Sequence, residues 1–304
     1  MTQIGAPPHN PVPIGEVSTP PFARLPDPAV MFAARAARFK SLAVNHDLGA
    51  YLAFLGDLAA VQHQVQDGLA PAELPAAEML TRAREFGMPP LDRNAMPSAD
   101  FAAILERLLA LAHGIAKPAA AQASLARATA ADAPTRAAMV KAVLTNSIPI
   151  ESLAEHAYVA AALQVHFTRL AARLDAAALV SVGDGVCPAC GGPPVISMVV
   201  GWPGAHGARF CACALCGTLW NYVRIKCIAC GSTAGIAYEE IEGGPGTVKA
   251  ETCDSCHVYV KVLDQQIDPA LEPTADDVAS LSLDLLVREA GFRRGGVNPF
   301  LLGY

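Results

Sequence analysis

The segment CPACGGPP (residues 187–194) opens a run of paired cysteines that continues in RFCACALCGTLWNYVRIKCIACG (209–231) and KAETCDSCHVYVK (249–261). All nine cysteines of the 304-residue chain lie between Cys187 and Cys256. Eight of them form four Cys-x-x-Cys pairs: Cys187/Cys190, Cys213/Cys216, Cys227/Cys230 and Cys253/Cys256. Such clustering in a chain of this size indicates metal ligation in a reducing compartment, because secreted disulfide frameworks are normally short chains with cysteines throughout.

The four pairs form an internal repeat. There are 22 residues between Cys190 and Cys213 and again 22 between Cys230 and Cys253, so the last two pairs repeat the first two at one constant offset. Two thiolates separated by two residues can hold one ion from a tight turn, called a knuckle, and a tetrahedral site needs two facing knuckles across a β-hairpin. The spacing therefore predicts two four-cysteine sites in tandem rubredoxin-like or zinc-ribbon modules.

The repeat also favours a particular pairing of the knuckles. Cys187/Cys190 would face Cys213/Cys216, and the third pair would face the fourth, with interleaved pairing as the alternative. Tetrahedral sulfur ligation suits zinc or a single iron, so the ligands leave the identity of the metal open. The residue after each knuckle is expected to adopt positive φ, which glycine adopts freely and histidine tolerates: Gly191, Gly217, Gly231 and His257.

Cys211 is the ninth cysteine and belongs to none of the pairs. One hypothesis is an exposed redox thiol or a substitute ligand; the other is a small apolar side chain inside a strand. Its counterpart in the second half of the repeat is Glu251, which suggests a position that can face solvent. We do not include Cys211 among the ligands.

The rest of the chain predicts an α-helical protein with a small β part. Residues 1–27 read as a Pro-rich arm and 28–182 as an all-α domain with a long helix over about 150–180. The modules are expected at 183–224 and 225–265, and a C-terminal helix and tail at 266–304. Ser98 is expected to precede another helix, and Thr274 to cap the C-terminal one at 275–290, which Gly291 would end.

Composition and charge reduce the number of functional classes that the chain could belong to. The net charge is −6 and the metal region 181–263 holds five basic and six acidic residues, which disfavours nucleic acid as a partner because phosphate binding needs a basic face. We expect a cytoplasmic protein that is not integral to the membrane, since neither a signal peptide nor a spanning helix is evident. The eight histidines show no ligand spacing, and we expect them at surface or capping positions. The sequence contains no nucleophile elbow, phosphate-binding loop or dinucleotide fingerprint, so no catalytic residues are predicted.

The cysteine segments and their flanks resemble the FdhE family of formate dehydrogenase accessory proteins. The resemblance extends to ADDVASLSLDLLVREAGF (275–292) and the tail NPFLL (298–302), and less specifically to FKSLAVNHDLGAYLAFLGDLA (39–59). It covers most of the chain after residue 20. The four-knuckle order with its flanks is the specific part, and Cys211 is a departure from the family pattern.

The resemblance implies an expected function. Members of this family are cytoplasmic, non-enzymatic assembly factors that bind the catalytic subunit of respiratory formate dehydrogenase before its twin-arginine export. They affect the maturation or redox activity of that molybdenum enzyme and bind iron in rubredoxin-like sites. Iron, as Fe3+, is therefore the expected metal in both sites, with zinc as the alternative, and self-association stays open. The competing functions are a rubredoxin-like electron-transfer protein and a zinc-ribbon nucleic-acid binder.

Overall fold

A computed structural model describes residues 19–95 and 99–301, and it confirms a helical part followed by strands that carry the cysteines. The helices that precede the cysteines are α1 (Pro28–Leu42), α2 (Gly49–Val65), α3 (Ala77–Glu85), α4 (Ala99–Ala112), α5 (Ala119–Ala130), α6 (Ala133–Leu144) and α7 (Leu153–Ala171). α3 was not predicted, and α7 ends well before residue 180. Ser98, which we expected to precede a helix, lies outside the described residues.

The helices pack around α7, which contacts α1, α2, α4, α5 and α6. α1 begins where the Asp27 carboxylate accepts a hydrogen bond from the Ala29 N–H at 3.0 Å, with Pro28 in the first turn. α7 is buried along most of its length, and its alanines allow neighbouring helices to approach closely. Two histidines of α7, His156 and His166, are buried, so neither lies at a surface position, and Nδ1 of His156 is 2.7 Å from the Ser152 carbonyl oxygen at the start of the helix.

The strands form one continuous sheet. They are β1 (Ala23–Arg24), β2 (Pro194–Val199), β3 (Arg209–Cys213), β4 (Leu219–Asn221), β5 (Ile236–Glu239), β6 (Val248–Cys253), β7 (Val258–Asp264) and β8 (Arg293–Arg294). The order is β1-β4-β3-β2-β7-β6-β5, and β8 pairs with β7. The constant offset of the sequence repeat carries β2, β3 and β4 onto β5, β6 and β7, so the repeat corresponds to two antiparallel three-stranded units.

The two units are joined edge to edge through a parallel pair. β2 of the first unit aligns with β7 of the second, with Ser197 opposite Val262 and Val199 opposite Asp264. The relative placement of the two cysteine groups is therefore determined by main-chain hydrogen bonds across the joint as well as by side chains.

The C-terminal segment differs from the single helix that we expected. It forms α8 (Pro273–Ala279) and α9 (Leu281–Glu289), interrupted at Ser280, whose hydroxyl donates to the Asp276 carbonyl at 2.7 Å. The cap of α8 is Glu272 rather than Thr274: its carboxylate accepts from the N–H groups of Thr274 and Ala275. α9 ends at Glu289, and the positive-φ residue Gly291, which we expected to end the helix, follows two residues later.

Both ends of the described chain pack on this core. β1, from the predicted N-terminal arm, pairs with the edge strand β4, while residues 1–18 of that arm lie outside the described residues. Phe300 and Leu301 of the tail are buried, and the Tyr51 hydroxyl donates to the Phe300 carbonyl at 2.7 Å. Among the helices of the described ranges, none is long and apolar enough to cross a membrane.

Candidate metal centres

The structure brings the eight paired cysteines together in two groups of four. The groups are Cys187, Cys190, Cys213 and Cys216, and Cys227, Cys230, Cys253 and Cys256. The sulfurs of each group all lie within 4.8 Å of one another. This is the pairing that the repeat favoured, and the interleaved arrangement is not the one observed.

The distances between sulfurs fit a tetrahedral metal site. In the first group, Sγ of Cys187 is 3.6 Å from Sγ of Cys216, and Sγ of Cys190 is 3.4 Å from Sγ of Cys213. The matching distances in the second group are 3.7 and 3.8 Å. Metal–sulfur bonds of about 2.3 Å at tetrahedral angles place sulfurs about 3.8 Å apart. A disulfide would bring them to about 2.05 Å, so both groups fit a metal ion and neither is a pair of disulfides.

The backbone of each knuckle supports this geometry. Gly191, Gly217 and Gly231 each have φ of 73°, and His257 has φ of 53°, which confirms the positive φ expected after every knuckle. The turn directs main-chain N–H groups at sulfur: Leu215 and Cys216 donate to the Cys213 sulfur at 3.4 Å. Hydrogen bonds of this kind stabilise a thiolate, the form in which cysteine binds metal.

Burial and hydrogen bonding act in opposite directions on the pKa values of the first group. Burial raises the pKa of the Cys187 thiol well above its usual range. Burial acts in the same direction on Cys213, but hydrogen bonds from Cys187, Cys190 and Cys216 bring its pKa below the ordinary value. Thiolate charge in this buried group needs compensation, which a bound metal cation would supply.

The first group is built into the helical part of the protein. From α7, Gln164 donates to the Ala214 carbonyl at 2.8 Å and Thr168 to the Cys216 carbonyl at 3.3 Å. The Leu91 N–H donates to the Ala189 carbonyl at 3.0 Å. The four cysteines of this group belong to the same hydrophobic cluster as the helical core.

An ion pair that the sequence did not reveal connects the two units. Arg209 of β3 lies 2.8 Å from Glu251 of β6, and the two side chains are only 1% and 2% exposed. Arg209 also donates to the Ser197 hydroxyl and, at 3.1 Å, to the Lys226 carbonyl, while the Tyr238 hydroxyl donates to Glu251 at 2.7 Å. Arg209 therefore holds the first unit, the connection between the units and the second unit in one arrangement.

The loop that leads into the first knuckle also contacts the second group. Asp184 accepts hydrogen bonds from Lys226 at 2.8 Å and from the Tyr222 hydroxyl at 3.0 Å, and hydrogen bonding to Lys226 holds the pKa of this carboxyl below its usual range. A Cβ at Gly185, which has φ of 64°, would lie 2.4 Å from the Ile228 carbonyl oxygen. Only glycine fits this approach without a backbone shift.

Cys211 is more buried than the repeat led us to expect. Both Cys211 and its counterpart Glu251 are buried, so the inference that this position can face solvent is wrong. The Cys211 sulfur lies 3.7 Å from the Ser197 hydroxyl, and burial raises the pKa of the thiol to about 11. These surroundings agree with a small apolar side chain in a strand and not with an exposed redox thiol.

A difference in exposure between the two groups was also not anticipated. All cysteines of the first group are buried, whereas in the second group Cys230 is exposed and Cys256 is partly exposed. The repeat contains a signal for this, because the middle residues Ala214 and Leu215 of a first-group knuckle correspond to Asp254 and Ser255 in the second.

Known proteins resemble the chain over nearly its whole length. The domain families described as "FdhE, N-terminal", "FdhE, central domain" and "FdhE, C-terminal domain" match residues 20–184, 186–224 and 225–301. The chain is 47% identical over 298 residues to a "Protein FdhE homolog" of Rhizobium meliloti (strain 1021), covering 97% of each chain. A "Protein FdhE homolog" of Cronobacter sakazakii (strain ATCC BAA-894) is 36% identical over 88% of this chain and 86% of that protein.

A solved structure shares the fold. The match is to "The crystal structure of the FdhE protein from Pseudomonas aeruginosa", with a TM-score of 0.83 and 33% identity. It covers 93% of this chain and 99% of that chain. The sequence resemblance, the domain families and the fold agree, and the chain belongs to the FdhE family.

Proposed function

We propose that this chain is a cytoplasmic accessory protein that binds the catalytic subunit of respiratory formate dehydrogenase and supports its maturation or redox activity before export. The eight paired cysteines hold two metal ions in this proposal, with iron favoured over zinc. The chain acts by binding rather than by catalysing a reaction of its own.

The observation that carries the proposal is the pair of tetrahedral cysteine groups in a chain that belongs to the FdhE family. The family supplies the expected client, because its members are accessory proteins of formate dehydrogenase. The cysteine groups supply the expected chemistry: four sulfurs within 4.8 Å of one another are the donor set that zinc and single iron ions share.

Bound metal would contribute to the fold as well as to function. Each group consists of two turns that approach each other only across short strands, and structural zinc in comparable modules contributes roughly 10–16 kcal/mol of binding free energy. The knuckle of Ala214 and Cys216 contacts α7, so metal in the first group would also stiffen the junction with the helical part.

Co-purification from anaerobically grown cells tests the proposed client. The tagged wild-type chain should recover the catalytic subunit of formate dehydrogenase, identified by mass spectrometry. The double variant Cys187→Ser, Cys190→Ser should lose one metal ion and recover less of the subunit. Cys211→Ser is the matched control, because it removes a buried cysteine that lies outside both groups. Wild-type protein that recovers no formate dehydrogenase subunit would contradict the proposal.

Electron transfer is the second candidate function, and the exposed Cys230 favours it, because a partner can approach the second group closely. A reversible Fe3+/Fe2+ couple at a physiological potential in the purified iron protein would support this function. Binding of nucleic acid has less support: Phe210 and Trp220, which could stack on bases, are buried, and Arg24 lies over the Trp202 ring at 4.6 Å.

A further inference from the structure

The two cysteine groups share their ligand geometry but differ in their surroundings. In the first group every cysteine is at most 5% exposed. In the second group Cys227 and Cys253 are buried, Cys256 is partly exposed and Cys230 is exposed. The second group therefore lies at the protein surface, and Cys230 is its ligand residue most open to a reagent in solution.

The first group is covered by α7 and by the segment at Leu91 and Arg93. α7 binds the carbonyls of Ala214 and Cys216, and the chain at Leu91 binds that of Ala189. A Cβ on Gly192 would lie within 3.5 Å of two ligand sulfurs and of an Arg93 nitrogen, so this face of the group is closed as well. A reagent in solution therefore meets no exposed ligand residue in the first group.

Short polar side chains surround the second group. Asp254 and Ser255, in the middle of its second knuckle, are exposed, as is Ala229 in the first. The hydroxyls of Ser232 and Ser255 lie 3.1 Å apart and connect the two knuckles at the surface. At the position of Ser255, the first group has the buried Leu215.

We propose that the second group is an exchange site, from which a soft or borderline divalent ion such as Zn2+ or Fe2+ passes to an incoming thiolate or chelator, while the first group releases its ion much more slowly. Cys230 is the ligand that leaves first. As the incoming donor forms its bond, the Cys230 sulfur releases its bond and takes a proton from water, and the oxidation state of the ion is unchanged. This inference rests on the proposed binding of one metal ion in each group and adds that the two groups differ in how readily they release it.

The rate of metal release distinguishes the two groups. Full-length protein reconstituted with two Zn2+ per chain is mixed with a chromogenic chelator in excess. The surroundings of a metal site, including the hydrogen bonds to its ligands, change metal affinity by roughly 10- to 100-fold. We therefore expect two phases of zinc release, one ion each, with rates that differ by at least about tenfold. Alkylation with iodoacetamide during the reaction should label Cys230 and Cys256 in the fast phase, before any cysteine of the first group.

Variants at equivalent positions of the repeat assign the phases. Cys230→Ser should abolish the fast phase and leave the slow one, whereas the equivalent Cys190→Ser should do the opposite. Ser255→Leu introduces into the second group the residue type that the first group has at the equivalent position, Leu215. It should slow the fast phase of release without changing the number of ions bound. This last variant keeps all eight cysteines, so it tests the inference even where a cysteine variant does not fold.

The possible results separate the inference from the proposal beneath it. Two ions per chain that leave at the same rate, or labelling of Cys187 and Cys190 before Cys230, would overturn the exchange site and leave the metal centres standing. Protein that binds no metal on reconstitution would overturn the metal centres and the exchange site together.

Discussion

Removal of the buried Arg209 side chain should loosen the joint between the two cysteine units. Arg209 contacts Glu251 at 2.8 Å and donates to the Ser197 hydroxyl and the Lys226 carbonyl. Arg209→Met keeps most of the aliphatic volume but removes the charge and every one of these donors. Glu251 would then be a buried carboxylate whose remaining hydrogen-bond donor, within the described part of the chain, is the Tyr238 hydroxyl.

The magnitude follows from the burial of both partners. Loss of one member of a buried ion pair costs about 3–5 kcal/mol, because the remaining charge is left without compensation. With both side chains at most 2% exposed, solvent cannot replace the missing partner. We therefore expect Arg209→Met to lower the free energy of unfolding by about 4 kcal/mol. The double variant Arg209→Met, Glu251→Leu should cost clearly less than the sum of the two single variants.

Urea unfolding of the zinc-loaded protein, at a fixed concentration of free zinc, measures these costs. The control is Lys249→Met, at the position equivalent to Arg209 in the second unit. Lys249 pairs with Glu240 at 2.9 Å, but both side chains are more than a third exposed, so its loss should cost no more than about 1 kcal/mol. Equal costs for Arg209→Met and Lys249→Met would refute the assignment of Arg209 as the link between the units.

Three further predictions follow from single side chains. Burial lowers the pKa of His166 to about 4 from the ordinary 6.5. Between these pH values the unfolded chain binds a proton at this histidine and the folded chain does not, so the folded state becomes less stable as the pH falls. The free energy of unfolding of wild type should therefore fall by up to about 3 kcal/mol relative to that of His166→Gln between pH 6.5 and pH 4, as measured by unfolding at a series of pH values. Gly185→Ala should destabilise the protein by about 3 kcal/mol in urea unfolding, because Gly185 has a positive φ and the added Cβ clashes with the backbone of Ile228. The control Gly68→Ala, with φ of 70° and open space around it, should cost only about 1 kcal/mol. Equal costs would contradict the close approach of Gly185 to Ile228. Lys261→Met leaves two buried carboxylates with less compensation and should speed limited proteolysis of α8 and α9; unchanged proteolysis would contradict this role.

The cysteine groups could be predicted because their geometry is local. Paired knuckles and an exact sequence repeat favour one pairing of the sulfurs over the interleaved one, and residue types such as Gly191 and His257 indicate the backbone conformation at each knuckle. The helical part was predictable from apolar spacing, although α3 and the end of α7 were not found. Their boundaries depend on packing rather than on strong caps, as the lack of a side-chain cap at Ala76 shows.

The arrangement of the two units could not be predicted from the same pattern. The parallel pairing of β2 with β7 joins strands that are distant in the sequence, and no turn signal specifies such a contact. Glu251 can be buried because Arg209 reaches it across that joint and forms an ion pair with it. The sequence repeat does not show this contact, and the charge of Glu251 alone suggested that its position is exposed. The break at Ser280 likewise accompanies tertiary contacts, since the preceding Asp276 and Asp277 bind Arg38 and Lys261, respectively.

Metal analysis combined with visible absorption tests the central claim most directly, on protein purified both anaerobically and in air. We expect about two metal ions per chain, with a red ferric–thiolate spectrum that bleaches on reduction where the metal is iron. Colourless protein with two zinc ions would keep both metal centres and remove the redox component of the proposed function. Metal-free protein in which all eight paired cysteines react as free thiols while the fold persists would contradict the assignment of these residues as metal ligands.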